Sequence, residues 1–278
     1  MGAQTDRADG EVRADLIGDG THGADSKRVL RAVKASSLQR SAETLGIRGV
    51  QLPLRPAGAK LWVSPIDGQA KRVEDAVLDH FALDGWVGSA AEGGLLLNLI
   101  KAMSFATVPN HGRGTFTEAI YAQNVQPHHK VPVATLLAQL AAADVATIKR
   151  NVAFLSSRKP VVDDWGNGIK FTKTDCMLDF FPTLEPWMFL GLFRAAGVEL
   201  LHRIATKFSQ DPYEYRRGWP DLTLWRGNEL RFIEVKAPGD RIQPSQRKVI
   251  EEFAGPLELD FTLVEVAATG DGRPLAPA

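Results

Sequence analysis

The chain has a single cysteine, Cys176, among its 278 residues. It can close no internal disulfide, so the expectation is a fold held by burial and hydrogen bonding, suited to a reducing compartment. Charge of one sign is lacking too. The 33 Lys and Arg match the 33 Asp and Glu, so no global field draws the protein to nucleic acid, and any such binding must come from local patches. No run of about 18 uncharged apolar residues occurs, so no membrane span or membrane partner is expected. Met1 to Leu16 alternates charged and small residues, without the apolar centre of a secretory signal. A Gly-rich phosphate loop is absent, which argues against nucleotide triphosphate hydrolysis, and there is no internal repeat. These absences leave an ordinary globular protein, expected in the cytoplasm. With 44% hydrophobic and 24% charged residues it can bury the core of one large domain, or of a domain with a smaller attachment.

Residues 1–28 mix Gly, Asp, Arg, Ala and Thr and read as a mobile tail; residues 269–278 read as a tail. A short basic segment from Lys27 to Ser41 gives way to an apolar stretch through Leu61, Trp62 and Val63, and the pattern assigns no element there. Val73, Val77 and Phe81 recur on one face of a helix over about 72–83 that Gly85 ends. An apolar run follows over 95–105. Residues 133–155 are helical in pattern throughout, and 158–179 reads as a loop or small hairpin. Pro186 suits the first turn of a helix that reaches Phe208, broken near Gly197.

After Phe208 the period changes. Leu222–Trp225 and Leu230–Val235 read as strands joined by the tight-turn pair Gly227-Asn228. Pro244 opens a helix with Val249, Ile250 and Phe253 toward the core, and Phe261–Val266 makes a further strand. The order β-β-α-β after a run of helices describes a mixed α/β sheet.

The chemistry lies in the late strands. Pro220 disfavours helical backbone at Trp219, so the chain enters the first strand extended with Asp221 at its mouth. In the second strand Glu234 and Lys236 project from one face, Ile233 and Val235 from the other. An antiparallel hairpin sets the start of its first strand beside the end of its second, which gathers Asp221, Glu234 and Lys236. Two converging carboxylates make an oxygen-rich site suited to Mg²⁺ or Mn²⁺, and the main-chain carbonyl of Val235 offers a further oxygen. Such an ion polarises a phosphodiester and lowers the pKa of a bound water. Lys236 beside it can orient that water or offset charge that develops in the transition state. Gln246 shares the inward face of the last helix, where its amide needs partners that a site water or a substrate phosphate would supply. An isolated Glu-Val-Lys is commonly a solvated strand face. The joint pattern with Asp221, the turn and Gln246 weighs against that reading.

Arg217-Gly218-Trp219-Pro220-Asp221-Leu222, Glu234-Val235-Lys236-Ala237-Pro238-Gly239-Asp240-Arg241 and Gln246 closely resemble the motif of the VRR-NUC branch of the PD-(D/E)XK nuclease superfamily. Within it they are most like the nuclease domain of the Fanconi-associated nuclease family. The resemblance implies a restriction-endonuclease-like α/β core at 181–268, with a mainly helical portion at 29–180 packed on it and contributing to a DNA groove. It implies a metal-dependent 5′-flap endonuclease and 5′-to-3′ exonuclease acting in DNA repair. It also implies an upstream metal-ligating glutamate shortly after Gly-Trp. Gly85-Trp86 precedes Ala91-Glu92-Gly93, so Glu92 takes that place, with Ala91 where the family has glycine. Glu74, on the early helix, is the rival, although a Glu there is commonly a favourable first-turn charge.

Arg216, Arg217, Tyr213 and Tyr215 lie just ahead of Asp221, placed to grip phosphates and stack a frayed base. A basic stretch from Lys149 to Lys173, including Lys170 and Lys173, offers a second DNA track, though such runs are commonly solvated surface. His128-His129 carries no zinc-ligand spacing. The expected ligand is branched or single-strand-containing DNA, with no protein partner implied. The alternatives are a dimeric Holliday-junction resolvase of the same branch and a non-catalytic DNA-binding module, against which the intact Asp, Glu and Lys weigh.

Overall fold

A computed structural model describes residues 36–123, 130–165 and 168–269. The expected tail at 1–28, all but the first residue of the tail at 269–278, and His128-His129 lie outside these. The organising element is a five-stranded mixed sheet in the order β1 (Arg48–Leu54), β10 (Phe261–Ala268), β9 (Glu229–Lys236), β8 (Leu222–Arg226), β5 (Val87–Ser89). Strands β1, β10 and β9 run parallel, while β8 pairs antiparallel with both β9 and β5. The β8–β9 hairpin forms at Gly227-Asn228 as expected. Gly227 takes a left-handed φ of 59°, and Leu222 faces Ile233 across the ladder. The chain then passes through α8 (Pro244–Val249) and a single π-helical turn, Ile250–Ala254, before β10. The expected β-β-α-β order is thus present.

The sheet's composition redraws the expected boundary at 181. Strands β1 and β5 come from upstream of it. Residues 48–71 are not helical: besides β1 they hold a small antiparallel sheet of β2 (Pro56–Gly58), β3 (Leu61–Val63) and β4 (Ala70–Lys71). Pro53 gives a physical reason why β1 escapes recognition. A proline weakens any reading as a strand, yet β1 is an edge strand, where a missing N–H is tolerated.

Alternation along the strands divides the core between two faces. Leu222, Leu224, Ile233, Val235, Val264 and Val266 meet Ala76 and Val77 of α2 (Val73–Leu83) on one face. Trp225, Phe232 and Phe261 lie on the other, in the larger core with α3 (Gly94–Met103), α7 (Pro186–Phe208) and Val249 of α8. α1 (Ser37–Thr44) covers Leu263. The result is the expected mixed sheet flanked by helices, and alternation places Asp221, Glu234 and Lys236 on the α7–α8 face.

The helical stretch expected over 133–155 divides into α5 (Val133–Ala141) and α6 (Val145–Leu155), after the short α4 (Thr117–Tyr121). Asp144 causes the division by capping α6, its carboxylate accepting the Thr147 N–H at 2.7 Å. α7 opens on Pro186 and is interrupted at Gly197, with φ 71° and ψ 158°. Of the two readings open for 158–179, loop or small hairpin, the segment takes the hairpin, β6 (Val161–Asp164) with β7 (Lys170–Lys173). It is anchored by Arg113, whose buried guanidinium donates to the carbonyls of Asp175 at 3.0 Å and of Lys159 and Lys173 at 2.5 Å. Among the described residues, no helix is long and apolar enough to cross a membrane.

Candidate active site

Where β8 begins and β9 ends, the sheet face carries two carboxylates and an ammonium. The Asp221 carboxylate accepts the Val235 N–H at 2.7 Å, which ties the mouth of one strand to the end of the next. Glu234 is fully buried. Its Oε1 accepts from Lys236 Nζ at 2.6 Å and from Gln246 Nε2 at 2.5 Å, and Lys236 Nζ also donates to Gln246 Oε1 at 3.0 Å. The same Gln246 oxygen accepts the Gln243 N–H at 2.8 Å, a capping box that fixes the start of α8. The amide of Gln246 therefore finds its partners within the protein, not in solvent or substrate as its sequence position suggested. It orients Glu234 and Lys236.

The other oxygen of Glu234, Oε2, is buried and has no hydrogen-bond partner. A buried acceptor left unmade costs about 1–3 kcal/mol, and more if charged. Burial pushes the Glu234 carboxyl well above the usual carboxylate range, and the nearby Asp221 charge pushes it further, against Lys236. Asp221 is also raised, chiefly by burial, against the Val235 N–H and the Lys236 charge. Two desolvated carboxylates that repel one another, with an unmet oxygen between them and one lysine, form a donor set that a hard divalent cation fits. The chemistry of the residues matches the group that their sequence pattern implies.

The candidate third ligands sit differently. Glu92 is an exposed residue in left-handed conformation, φ 45°, and its N–H donates to the Asp221 carbonyl at 3.3 Å. It shares a cavity with Asp221, Gln246, Arg216 and Arg217. Glu74 is half-buried on α2, and its charge adds to the upward push on Asp221. Among the described residues, no three His, Cys, Asp or Glu side chains form a metal-holding group. Asp221 and Glu234 are thus brought together, and both upstream glutamates stand near them without closing a cluster.

Gly93 and Gly94 explain the local fit. A Cβ on Gly93 would collide with the Trp219 side chain, and one on Gly94 with the Phe181 ring. Gly218, at φ 85°, lies against the Ser245 carbonyl at the start of α8. Three glycines let the loop before Asp221 nest against α3 and α8.

Of the expected DNA contacts, Arg216 and Arg217 are exposed at the cavity, and Arg216 lies over the exposed Tyr213 ring, 5.4 Å to its centroid. Tyr215 is not available for stacking. It is 5% exposed, its hydroxyl donates to Glu252, and its ring packs edge-on against Phe253 at 4.9 Å. Its place in the core follows from the larger apolar face of α8 and the turn after it. Lys173 pairs with buried Asp163 at 3.1 Å, so its charge stabilises the hairpin. Lys170 remains largely exposed, paired with Asp164 at 3.4 Å. Two exposed aromatics that the sequence did not mark, Phe116 and Phe180, flank a neighbouring cavity. Phenylalanines in irregular segments carry no periodic signal that separates surface from core.

The mixed sheet and its helices make a fold of the PD-(D/E)XK type, and Asp221, Glu234 and Lys236 stand together where β8 begins and β9 ends. Within that class, residues 188–268 match the VRR-NUC domain family. The chain is 31% identical over 117 residues to the Fanconi-associated nuclease 1 homolog of Caenorhabditis briggsae, covering 40% of this chain and 12% of that protein. It is 40% identical over 63 residues to the Caenorhabditis elegans homolog, covering 22% and 7%. In structure it is similar to paFAN1 bound to 2-nt 5′-flap DNA with a gap, with TM-score 0.55 and 18% identity, over 84% of this chain and 42% of that one. The resemblance carried by the two motif strands is borne out. The chain spans only a small part of the curated relatives and less than half of the solved structure.

Proposed function

We propose that this chain is a metal-dependent, structure-specific DNA nuclease that hydrolyses phosphodiester bonds, with a 5′ flap as the favoured branch. The observation that carries the reading is the buried, partnerless Oε2 of Glu234 beside Asp221 and Lys236. Asp221 and Glu234 would hold a cation of the Mg²⁺ or Mn²⁺ type, with the Val235 carbonyl and Glu92 as additional oxygen donors. When bound, such a cation supplies Lewis acidity toward the phosphodiester and charge compensation for the two carboxylates.

The protein's own groups do the rest. Gln246 fixes Glu234 and Lys236 through its two amide atoms, so the carboxylate and the ammonium are preorganised. Lys236 Nζ has three N–H donors and gives two of them to Glu234 and Gln246. The third is left to orient the attacking water or to meet negative charge on the phosphate. Arg216 and Arg217, exposed at the rim, grip flanking phosphates. That DNA is the ligand is supported by the similarity to Fanconi-associated nucleases and to the paFAN1 complex.

The test is initial cleavage rate, with Mg²⁺ and with EDTA, on a 5′ flap, a 3′ flap, a four-way junction and a blunt duplex of matched sequence. The expected result is Mg²⁺-dependent cutting that is fastest on the 5′ flap. Cutting in EDTA, or no cutting of any of these DNAs, would overturn the reading, and symmetric cutting of the four-way junction alone would replace it with a resolvase.

A further inference from the structure

A cavity of about 430 Å³ opens beside the carboxylate cluster and shares Glu92, Arg216 and Arg217 with it. That volume lies within the range of small-molecule sites, roughly 300–1,000 Å³. Phe116, Phe180 and Phe181 line it. Phe116 and Phe180 are 49% and 50% exposed although their ring centroids stand 4.9 Å apart at 62°. Two large rings held together in solvent gain little from folding alone, which marks them as a contact surface. Phe181 is fixed against Gly94, whose missing Cβ makes room for the ring. The aromatic wall is thereby attached to the same turn that carries Glu92.

Two further features shape this cavity. Phe180 and Phe181 also line a second recess with Arg72, Pro182 and Glu92. They therefore form a ridge between two recesses that meet at Glu92, a division suited to a strand that parts from its complement. On the first recess lies Lys101, 2% exposed, which donates to the carbonyls of Arg113 at 3.3 Å and of Thr115. Those carbonyls hold its amine in the cavity lining, while burial pulls its pKa down to about 7, so the recess gains a fixed donor there and no permanent cation.

We propose that this cavity takes the unpaired nucleotide next to the scissile phosphate, its base against Phe116 and Phe180 and its flanking phosphates at Arg216 and Arg217. The assignment rests on the nuclease reading above and names what that site selects. A base inside a duplex has both faces covered by its neighbours and cannot enter. A flap or frayed base presents a free face, and stacking on phenylalanine is tolerant of sequence because every base has one. Selection for branched DNA then comes from this aromatic recess and not from net charge, which is +0.

The test is a cycle between protein and DNA, read as binding affinity in EDTA by fluorescence anisotropy. The DNAs are a 5′ flap, the same flap with an abasic residue in place of its first unpaired base, and a blunt duplex. Removing the base should weaken binding to the wild-type protein about tenfold, within the range set by stacking of one base. The Phe116→Ala/Phe180→Ala variant should bind the intact flap about as weakly as the wild type binds the abasic one. It should lose nothing more when the base is absent. Phe116→Trp and Phe180→Trp should keep the preference.

Equal binding of intact and abasic flaps by the wild-type protein would overturn the proposal with no variant needed. So would additive losses in the cycle, or a loss on blunt duplex as large as on the flap, which would make the rings a general wall or a surface for another protein. Cleavage of the same DNAs in Mg²⁺ separates the two levels. If the wild type cuts none of them, the nuclease reading itself fails. If it cuts them and the cycle is additive, the aromatic recess alone is wrong.

Discussion

Replacing Glu234 by glutamine should make the metal-free protein more stable and at the same time inactive. Burial and the neighbouring Asp221 raise the Glu234 carboxyl from an ordinary 4.5 to about 8. The folded state therefore keeps a proton that the unfolded chain gives up between those values. For an acid shifted upward, stability is greatest below the unfolded pKa and declines as pH rises toward the folded one. Each pKa unit corresponds to about 1.4 kcal/mol, so at neutral pH the site withholds on the order of 3 kcal/mol from stability. Glutamine keeps the shape and the acceptor for Lys236 and Gln246 while removing the ionisation. Glu234→Gln should therefore raise the melting temperature in EDTA by several degrees at pH 8 and change it little at pH 4.5. Mg²⁺ should stabilise the wild type increasingly as pH rises, and the variant hardly at all. The assay is thermal unfolding across pH 4.5–8, with and without Mg²⁺. A Glu234→Gln protein that is less stable than wild type at pH 8 in EDTA would refute the reasoning.

Three further outcomes are expected. Lys236→Ala should lower the single-turnover rate by about 10²-fold or more while DNA affinity stays near normal, the scale of losing one preorganised charge; an unchanged rate with weakened affinity would make it a phosphate contact. Glu92→Gln should impair cleavage more than Glu74→Gln, because Glu92 shares the Asp221 cavity and its main chain is bonded to Asp221; the reverse order would give the larger part to α2, whose Glu74 charge reaches Asp221. Gly93→Ala should lower both thermal stability and activity, because a Cβ there collides with Trp219 beside the motif loop; undisturbed melting and cleavage would show that the loop adjusts freely.

The late hairpin was legible because its signals are local. Gly227-Asn228 fixes the turn, and alternation about Val235 fixes which side chains share a face. From those alone Asp221, Glu234 and Lys236 fall together. The opposite edge of the sheet was not legible. β1 pairs with β10 from more than 200 residues away, Arg48 opposite Thr262, and its Gly49 and Pro53 hide a strand that its partner creates. The break between α5 and α6 was readable in principle from Asp144, a capping residue inside an Ala- and Leu-rich run. Tyr215 and Phe116 show where local reading fails. Both are aromatics near motifs, yet one is buried under Glu252 and Phe253 and the other stands in solvent beside Phe180. Only the packing of distant segments decides between them.

The central claim is that Asp221 and Glu234 hold the cation that hydrolysis needs. The most direct measurement is 5′-flap cleavage as a function of Mg²⁺ concentration for the wild type, Asp221→Ala and Glu234→Ala, each checked for an intact fold by circular dichroism. Removing one hard ligand from so small a donor set should cost metal affinity and rate together. The expected result is saturable Mg²⁺ dependence in the wild type and no detectable cleavage by either folded variant. Undiminished cleavage by either variant would contradict it.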